Sequence, residues 1–198
     1  MKTIGITGGI GSGKSTFCSM LEECGAQLFN ADLVASRIME TDAVVRGQLV
    51  KLLGEEAYLD NGKLNRPFIS SRAFSEPMVL TRIGTIVHPA VHVAFEEAQE
   101  KARREKCIAL IREAAIPPDE NTRTHLDMVV SVMADKELRV QRVMERSALS
   151  REEVEARISA QATDAEFIAS ADQVVWNNGS VQALGEQAQS LWNEWVLL

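Results

Sequence analysis

A glycine-rich stretch near the amino terminus carries a lysine and a hydroxyl residue in a spacing that suits phosphate chemistry. It reads Gly8-Gly9-Ile10-Gly11-Ser12-Gly13-Lys14-Ser15, a full match to the pattern G-x-x-x-x-G-K-[ST]. Glycines let the backbone curl around a phosphate with its amides pointing inward, while Lys14 supplies a cation and the Ser15 hydroxyl coordinates Mg²⁺. A flexible turn with an incidental lysine would not explain why Lys14 and Ser15 follow the last glycine. The pattern predicts a P-loop that binds a nucleoside triphosphate with Mg²⁺ through Gly9, Ile10, Gly11, Ser12, Gly13, Lys14, Ser15 and Thr16.

A second group of polar residues, Asn30-Ala31-Asp32, follows a predicted strand over residues 27–29. Ligands of parallel sheets bind beyond the carboxyl ends of the strands, where a carboxylate can take the proton from an attacking hydroxyl or hold a metal through water. Asp32 also precedes a predicted helix over residues 33–39, so it would equally serve as the N-cap of that helix. The residues alone leave both interpretations open.

Three arginines, Arg139, Arg142 and Arg146, are spaced three and four residues apart. This spacing places all three on one face of a predicted helix. A planar guanidinium pairs with two oxygens of a transferring phosphoryl group, which makes the series a candidate phosphate clamp. Without the P-loop, a solvated face balanced by Glu137 and Glu145 would be the better interpretation.

The elements that must position these residues alternate between strands and helices. We predict strands over residues 4–7, 27–29, 108–114, 128–133 and 174–176, and helices over 13–24, 136–146, from Ser150 onward and over 181–195. This alternation predicts an α/β protein, a P-loop three-layer αβα fold with a five-stranded parallel sheet. Residues 32–106 are mostly helical, with a turn at Asp60-Asn61-Gly62 and an expected helix boundary at His88-Pro89, and are too long for a plain crossover. We interpret them as a substrate-side lobe.

The bulk composition excludes several classes of protein. The net charge is −7 over 198 residues, which argues against a dedicated nucleic-acid binder. No apolar run approaches the roughly 20 residues that a membrane span needs. The three cysteines, Cys18, Cys24 and Cys107, form no CxxC pair and no metal-binding cluster, which favours a reducing compartment. We therefore expect a cytoplasmic protein with no nucleic-acid or membrane partner.

With these residues identified, the chain resembles the dephospho-coenzyme A kinase family over nearly its whole length. The resemblance rests on Gly5 to Thr16 as the family form of the P-loop and on Asn30-Ala31-Asp32, which is similar to an Asp-Ala-Asp signature. It continues through the turn from Asp60 to Arg66, His88-Pro89, Gln141 to Arg146, Ala160-Gln161, Ala171-Asp172 and Asn177-Asn178-Gly179.

The resemblance implies a single kinase domain over residues 1–198 that transfers the γ-phosphate of ATP to the ribose 3′-hydroxyl of dephospho-coenzyme A, giving coenzyme A and ADP. Its parts would be a nucleotide core (about 1–35, 107–134 and 170–198), a helical substrate lobe (about 36–106) and an arginine lid (about 135–169). The cofactor would be Mg²⁺ with ATP, and the enzyme a monomer. Among the implied catalytic roles, Asp32 is the base, and Lys14 and Arg142 clamp the phosphates. Ser15 would be the metal ligand, and Arg142 and Asn177 would bind ATP. The residues implied at the substrate are Asp32, Arg66, His88 and Arg146.

Two departures from the family pattern bear on the site. Asn30 stands where the signature has its first acid, and an uncharged amide would hold Mg²⁺ more weakly. The segment from Glu113 to Pro117 replaces a Pro-Leu-Leu-x-Glu type of sequence. We hypothesise that Glu113 takes over the acidic function lost at Asn30.

Three alternatives follow from these observations. The first is a kinase of another small alcohol or nucleoside monophosphate on the same core. The second is a P-loop switch protein, but the nearest segment to a guanine-reading Asn-Lys-x-Asp, residues 177–180, lacks the lysine and the aspartate. The third is a catalytically impaired relative with Asn30 as its symptom, against which stand Lys14, Ser15, Asp32 and Arg142.

Overall fold

The computed structural model describes residues 1–76 and 78–197, apart from the side chains of residues 73–75 and 197. It divides into two compact units. The first joins Met1–Asn30 to the part of the chain from Gln99 onward, and the second is Ala31–Ala98. The first unit therefore holds both the glycine-rich loop and the arginine series, and the second holds Asp32, Arg66 and His88.

The five predicted strands are present, and the helices follow the predicted order, with α6 as a short helix that the pattern did not predict. The strands are β1 (Lys2–Thr7), β2 (Gln27–Asn30), β3 (Ala109–Glu113), β4 (Met128–Met133) and β5 (Gln173–Trp176). The helices are α1 (Lys14–Glu23), α2 (Ala31–Thr41), α3 (Ala43–Leu53), α4 (Arg66–Ser75), α5 (Met78–Arg104), α6 (Glu120–Thr124), α7 (Lys136–Arg146), α8 (Arg151–Ser159), α9 (Asp164–Ala169) and α10 (Val181–Leu197), with a short 3₁₀ turn at Glu55–Ala57.

The first unit is built on a five-stranded parallel sheet in the order β2-β3-β1-β4-β5. The strand β1 is central and pairs with β3 on one side and β4 on the other. Its apolar residues Ile4 and Ile6 are buried with Ile111 and Val130, as expected for strands covered on both faces. The predicted α/β class and the five-stranded parallel sheet are confirmed.

Two of the helices that follow β4 begin with reciprocal caps. The Ser150 hydroxyl accepts from the Glu153 amide while the Glu153 carboxylate accepts from the Ser150 amide, and Thr163 and Glu166 repeat the arrangement at α9. The S-x-x-E pattern at Ser150 predicted the first of these helix starts. The caps fix where α8 and α9 begin, and so fix the short connection between them that reaches the glycine-rich loop.

The described part of the second unit is mainly helical, and one turn interrupts it between α3 and α4. Gly62, with a φ of 78°, closes the turn after Asp60 and Asn61, and the chain on either side forms a bridge between Tyr58 and Leu64. The turn predicted at Asp60-Asn61-Gly62 is therefore confirmed.

The helix α5 corrects the boundary expected at His88-Pro89, because it runs unbroken through Pro89. Val87, Val91 and Phe95, four residues apart on either side of the proline, are all buried. Their continuous apolar stripe offsets the roughly 3 kcal/mol that an interior proline costs a helix.

The same helix bears on the expectation that the protein has no membrane partner. Among the described residues, α5 is the one helix whose length and apolar composition would allow it to cross a membrane. The apolar residues of α5 form no long uninterrupted run, because Arg82, two histidines and Pro89 lie among them. The mean hydropathy of the helix is nevertheless that of an apolar segment. A single helix of this kind is weak support for a membrane span.

Candidate functional site

The glycine-rich loop lies between the carboxyl end of β1 and the start of α1, as the P-loop pattern predicts. Gly11 and Gly13 have φ values of 79° and 92°, in the left-handed region that favours glycine. A Cβ atom added at Gly11 would stand 2.5 Å from the backbone oxygen of Arg139, so no side chain fits there. Gly13 is the N-cap of α1, which directs the positive end of the helix dipole and its free amides at the loop.

A cleft of about 290 Å³ opens over this loop. It is lined by Gly8, Gly9, Ile10, Gly11, Gly13, Lys14, Ser15, Thr16, Ala115, Arg146 and Gln161. All the predicted loop residues except Ser12 line the cleft. Ser12 is instead buried beneath the loop, where its carbonyl accepts a hydrogen bond from the side chain of Asn177.

Glu113, at the end of β3, contacts both functional side chains of the loop. Its Oε1 accepts from the Lys14 ammonium at 2.7 Å and from the Ser15 hydroxyl at 2.6 Å. Its Oε2 accepts from the amide of Asn30 at 2.8 Å. The carboxylate is 2 % exposed, so these donors replace the water that it would otherwise bind. The structure thus brings Glu113 and Asn30 to the predicted metal ligand Ser15.

The charge on Glu113 also affects a cysteine of α1. Burial, and then the negative charge of Glu113, raise the pKa of the Cys18 thiol. Both effects favour the neutral form of the thiol, so Cys18 is a packing residue and not a nucleophile.

Arg139 is the residue at this site that sequence reasoning passed over when it chose Arg142 and Arg146. Arg139 is 2 % exposed, and its guanidinium lies against Gly9 while its backbone lies against Gly11. Its Nη1 donates to Asp164 at 2.7 Å, which holds the side chain in place over the loop. The spacing of the three arginines contained this signal, but nothing in it distinguished the buried arginine from the other two.

The other two arginines differ in where they lie. Arg146 is exposed and lines the cleft over the loop. Arg142 is half-buried and is not among the described residues that line the cleft, and its Nη1 is buried with no hydrogen-bond partner in the described part of the chain. A buried donor without a partner is costly, which is typical of a group that awaits a ligand or a movement.

Two further side chains hold the backbone of the loop. The amide of Ile10 donates to the side-chain oxygen of Gln161 at 2.8 Å. Asn177, which the resemblance places near the adenine, donates to the carbonyl of Ser12 at 2.8 Å and is buried. Its contact with adenine stays a prediction. The loop is therefore fixed from two directions, by the connection between α8 and α9 and by the end of β5.

The remaining predicted residues belong to the second unit. Asp32 is the second residue of α2 and lies in its first turn, so it is not the N-cap that one interpretation of the sequence proposed. A carboxylate in this position interacts favourably with the helix dipole. Arg66 is exposed at the start of α4 and donates to the Ser36 hydroxyl at 2.6 Å, and His88 is exposed on α5. The substrate roles of Asp32, Arg66 and His88 stay predictions.

The first unit also supplies oxygen ligands suited to Mg²⁺. Ser15, Glu113 and Asn30 bring a hydroxyl, a carboxylate and an amide together through the contacts given above. Magnesium binds such hard oxygen donors and usually keeps several waters. The donor set therefore fits the metal that the P-loop implies.

Comparisons with known proteins agree over nearly the whole chain. Residues 2–183 match the model of the family described as dephospho-CoA kinase. A dephospho-CoA kinase of Salinibacter ruber is 38% identical over 192 residues, covering 97% of this chain and 96% of its own. Among solved structures, TT1252 from Thermus thermophilus is similar with a TM-score of 0.78 and 33% identity, covering 98% of this chain and 97% of its own. A dephospho-CoA kinase from Campylobacter jejuni, with a TM-score of 0.70 and 22% identity over 98% of this chain and 97% of its own, shares the fold.

Proposed function

Because the chain belongs to the dephospho-CoA kinase family, it phosphorylates dephospho-CoA with ATP in coenzyme A synthesis, and we propose which of its residues carry the transfer. The acceptor is the ribose 3′-hydroxyl, and the products are coenzyme A and ADP. The observation that carries the assignment of residues is the preformed loop, in which Lys14 and Ser15 share the buried carboxylate of Glu113.

The first unit binds ATP with Mg²⁺. The amides of residues 9–16 and the amino end of α1 receive the phosphates, and Lys14 neutralises charge on the outer ones. Ser15 would hold the metal, with Glu113 on the same side of the loop. When bound, Mg²⁺ would neutralise the charge that develops on the transferring phosphoryl group.

The acceptor is activated by Asp32. A carboxylate that takes the proton of the attacking hydroxyl contributes roughly 10² to 10⁴ in rate. Asp32 follows the end of β2 by two residues, and the carboxyl ends of parallel strands are where ligands of such sheets bind. Arg66 and His88 are proposed to contact the substrate, since both side chains are exposed and belong to segments that resemble the family pattern.

Arg142 and Arg146 complete the phosphate site. Arg146 already lines the cleft over the loop, and Arg142 carries a buried nitrogen with no hydrogen-bond partner in the described chain. We propose that this nitrogen of Arg142 finds its partner in a phosphate oxygen once ATP is bound. Residues 135–169 then act as the arginine lid.

Product formation tests the proposal. Purified protein with ATP, Mg²⁺ and dephospho-CoA should release ADP and form coenzyme A in equal amounts. Lys14→Ala and Asp32→Asn should each abolish most of this turnover, while Lys101→Ala, which removes an exposed lysine from the same unit as Lys14, should not. Release of ADP only with another acceptor alcohol would contradict dephospho-CoA as the substrate. Full activity of Asp32→Asn would contradict the assignment of Asp32 as the base.

Two further expectations, the cellular location and the oligomeric state, belong with this function. A cytoplasmic location is supported by three cysteines that are all free thiols. That the enzyme acts as a monomer stays a prediction, which sedimentation in the presence of both substrates tests.

A further inference from the structure

We propose that Glu113 makes nucleotide binding conditional on the divalent cation, by occupying Lys14 and Ser15 until the cation replaces them. The inference rests on the proposed ATP site and deepens it. It concerns the order of partners around one buried carboxylate, which neither the P-loop pattern nor the family assignment specifies.

Glu113 contacts Lys14 and Ser15, the two side chains that we propose bind the ATP phosphates and Mg²⁺. Its Oε1 accepts from Lys14 at 2.7 Å and from Ser15 at 2.6 Å. The side chains of Lys14 and Glu113 are 11% and 2% exposed, so water screens this ion pair little. A charge-assisted hydrogen bond in such surroundings is about twice as strong as one between neutral groups. Metal-free nucleotide must therefore compete with Glu113 for Lys14.

Glu113 weakens the binding of metal-free ATP but strengthens the binding of ATP together with the cation. Metal-free ATP is a polyanion, and a fixed carboxylate behind the loop repels it while retaining Lys14. A divalent cation beside Ser15 is attracted by the same carboxylate. Glu113 and Ser15 would then hold the cation in place of the hydrogen bonds that they make now, which would release Lys14 to the outer phosphates. The exchange moves hydrogen bonds and breaks no covalent bond.

Asn30 holds the carboxylate of Glu113 in the orientation that this exchange requires. Its amide nitrogen donates to Glu113 Oε2 at 2.8 Å, which orients the carboxylate so that Oε1 faces Lys14 and Ser15. An aspartate in place of Asn30 would set a second negative charge against Glu113 in the metal-free protein. Asn30 is therefore a positioning residue for Glu113, and the site keeps one negative charge where two would repel each other.

The test is the dissociation constant of ATP measured calorimetrically without acceptor, once with excess chelator and once with Mg²⁺. Glu113→Gln keeps the shape of the side chain and removes its charge, so metal-free ATP should bind more tightly and Mg²⁺-ATP less tightly. We expect the ratio of the metal-free to the Mg²⁺ constant to fall by about tenfold or more, as loss of one charge-assisted contact implies. Glu23→Gln removes the same charge from an exposed position at the end of α1 and should leave the ratio unchanged.

Asn30→Asp provides the opposite change and keeps the test valid if Glu113→Gln fails to fold, as judged by its thermal transition. A second carboxylate should raise the ratio, because it attracts the cation and repels the free nucleotide. An equal ratio in wild type and Glu113→Gln, or an unchanged ratio in Asn30→Asp when Glu113→Gln is unfolded, overturns the proposal. Coenzyme A formation is measured separately. If coenzyme A does not form but the ratio falls in Glu113→Gln, or rises in Asn30→Asp when Glu113→Gln is unfolded, the proposed function is contradicted and this inference is supported.

Discussion

The phosphate-binding loop of the first unit and the residues of the second unit that we propose to contact the acceptor are built in opposite ways. Around the loop, Glu113 and Arg139 are buried and the Lys14 side chain is 11% exposed, and each is held by hydrogen bonds to residues distant in the sequence. In the second unit, Arg66 and His88 are exposed on helix surfaces. The difference indicates that the part which grips a triphosphate is formed before the ligand arrives, whereas the acceptor side presents its side chains to solvent.

This contrast has an energetic consequence that mutations can test. A side chain that both shapes the loop and binds ligand affects stability and affinity together when it is removed. An exposed side chain of the second unit affects turnover or substrate affinity and leaves the free energy of unfolding nearly unchanged. If substitutions in the two units affected stability and affinity alike, the distinction between the two units would be wrong.

The largest effect is expected from Gly11→Ala. The left-handed conformation costs an alanine about 1–2 kcal/mol, and its Cβ would collide with the Arg139 backbone oxygen 2.5 Å away. We expect the loop to lose its shape and the affinity for Mg²⁺-ATP to fall by about 100-fold, a loss of about 2.7 kcal/mol. Calorimetric titration measures it. An affinity within threefold of wild type would show that the loop is not rigidly preformed.

Arg139→Ala should come next. It removes a buried side chain that lies against Gly9 and pairs with Asp164, so we expect the free energy of unfolding to fall by about 2 kcal/mol, together with weaker ATP binding. Denaturant titration measures the loss. Arg123→Ala breaks an exposed pair with Asp172 and should cost about 1 kcal/mol or less. Equal costs for the two variants would argue against a structural role for Arg139 at the loop.

Arg66→Ala tests the other side of the comparison. Because this arginine is exposed and proposed to contact the substrate, we expect the KM for dephospho-CoA to rise by about tenfold, which corresponds to about 1.4 kcal/mol. The KM for ATP and the unfolding midpoint should stay as in wild type. Steady-state kinetics with each substrate varied in turn measures both constants. A parallel rise in the KM for ATP would place Arg66 on the nucleotide side.

The smallest change is Gly47→Ala, the counterpart of Gly11→Ala in the second unit. Gly47 lies inside α3, is exposed, and has no atom within 4 Å of an added Cβ. Alanine should therefore stabilise the helix by about 0.5–1 kcal/mol without changing activity. Thermal unfolding monitored by circular dichroism would detect the shift. Destabilisation by Gly47→Ala would mean that this glycine has a role which its surroundings do not reveal.

The sequence predicted those parts of the site whose chemistry depends on neighbouring residues. The loop from Gly8 to Ser15 was recognisable because phosphate binding imposes a local pattern of glycines, a lysine and a hydroxyl. The strands were recognisable because β1 and β4 are short apolar runs bounded by turn residues. Both signals are contained in fewer than ten consecutive residues.

What the sequence could not provide are contacts between distant segments. Arg139 is distinguished from Arg142 only by its position against Gly11, 128 residues away, and by its pair with Asp164. The unbroken α5 likewise depends on burial of its apolar stripe, which outweighs the local effect of Pro89. Local propensity is a weak guide where tertiary packing supplies the larger energy.

The central position of β1 has a consequence for the synthesis of the protein. The strand β1 leaves the ribosome before both of its partners, because its Lys2 pairs with Ala109 in β3 and its Ile4 pairs with Met128 in β4. At about 5–20 residues per second, the nascent chain waits on the order of 5 to 25 s before both neighbours of β1 have been made. Until β3 has been made, this apolar strand has neither edge paired, and one edge stays open until β4 follows. An unpaired apolar edge is a state that chaperones bind and that favours aggregation. The arrangement that places the phosphate loop at the middle of the sheet therefore makes β1 dependent on strands that are synthesised after it.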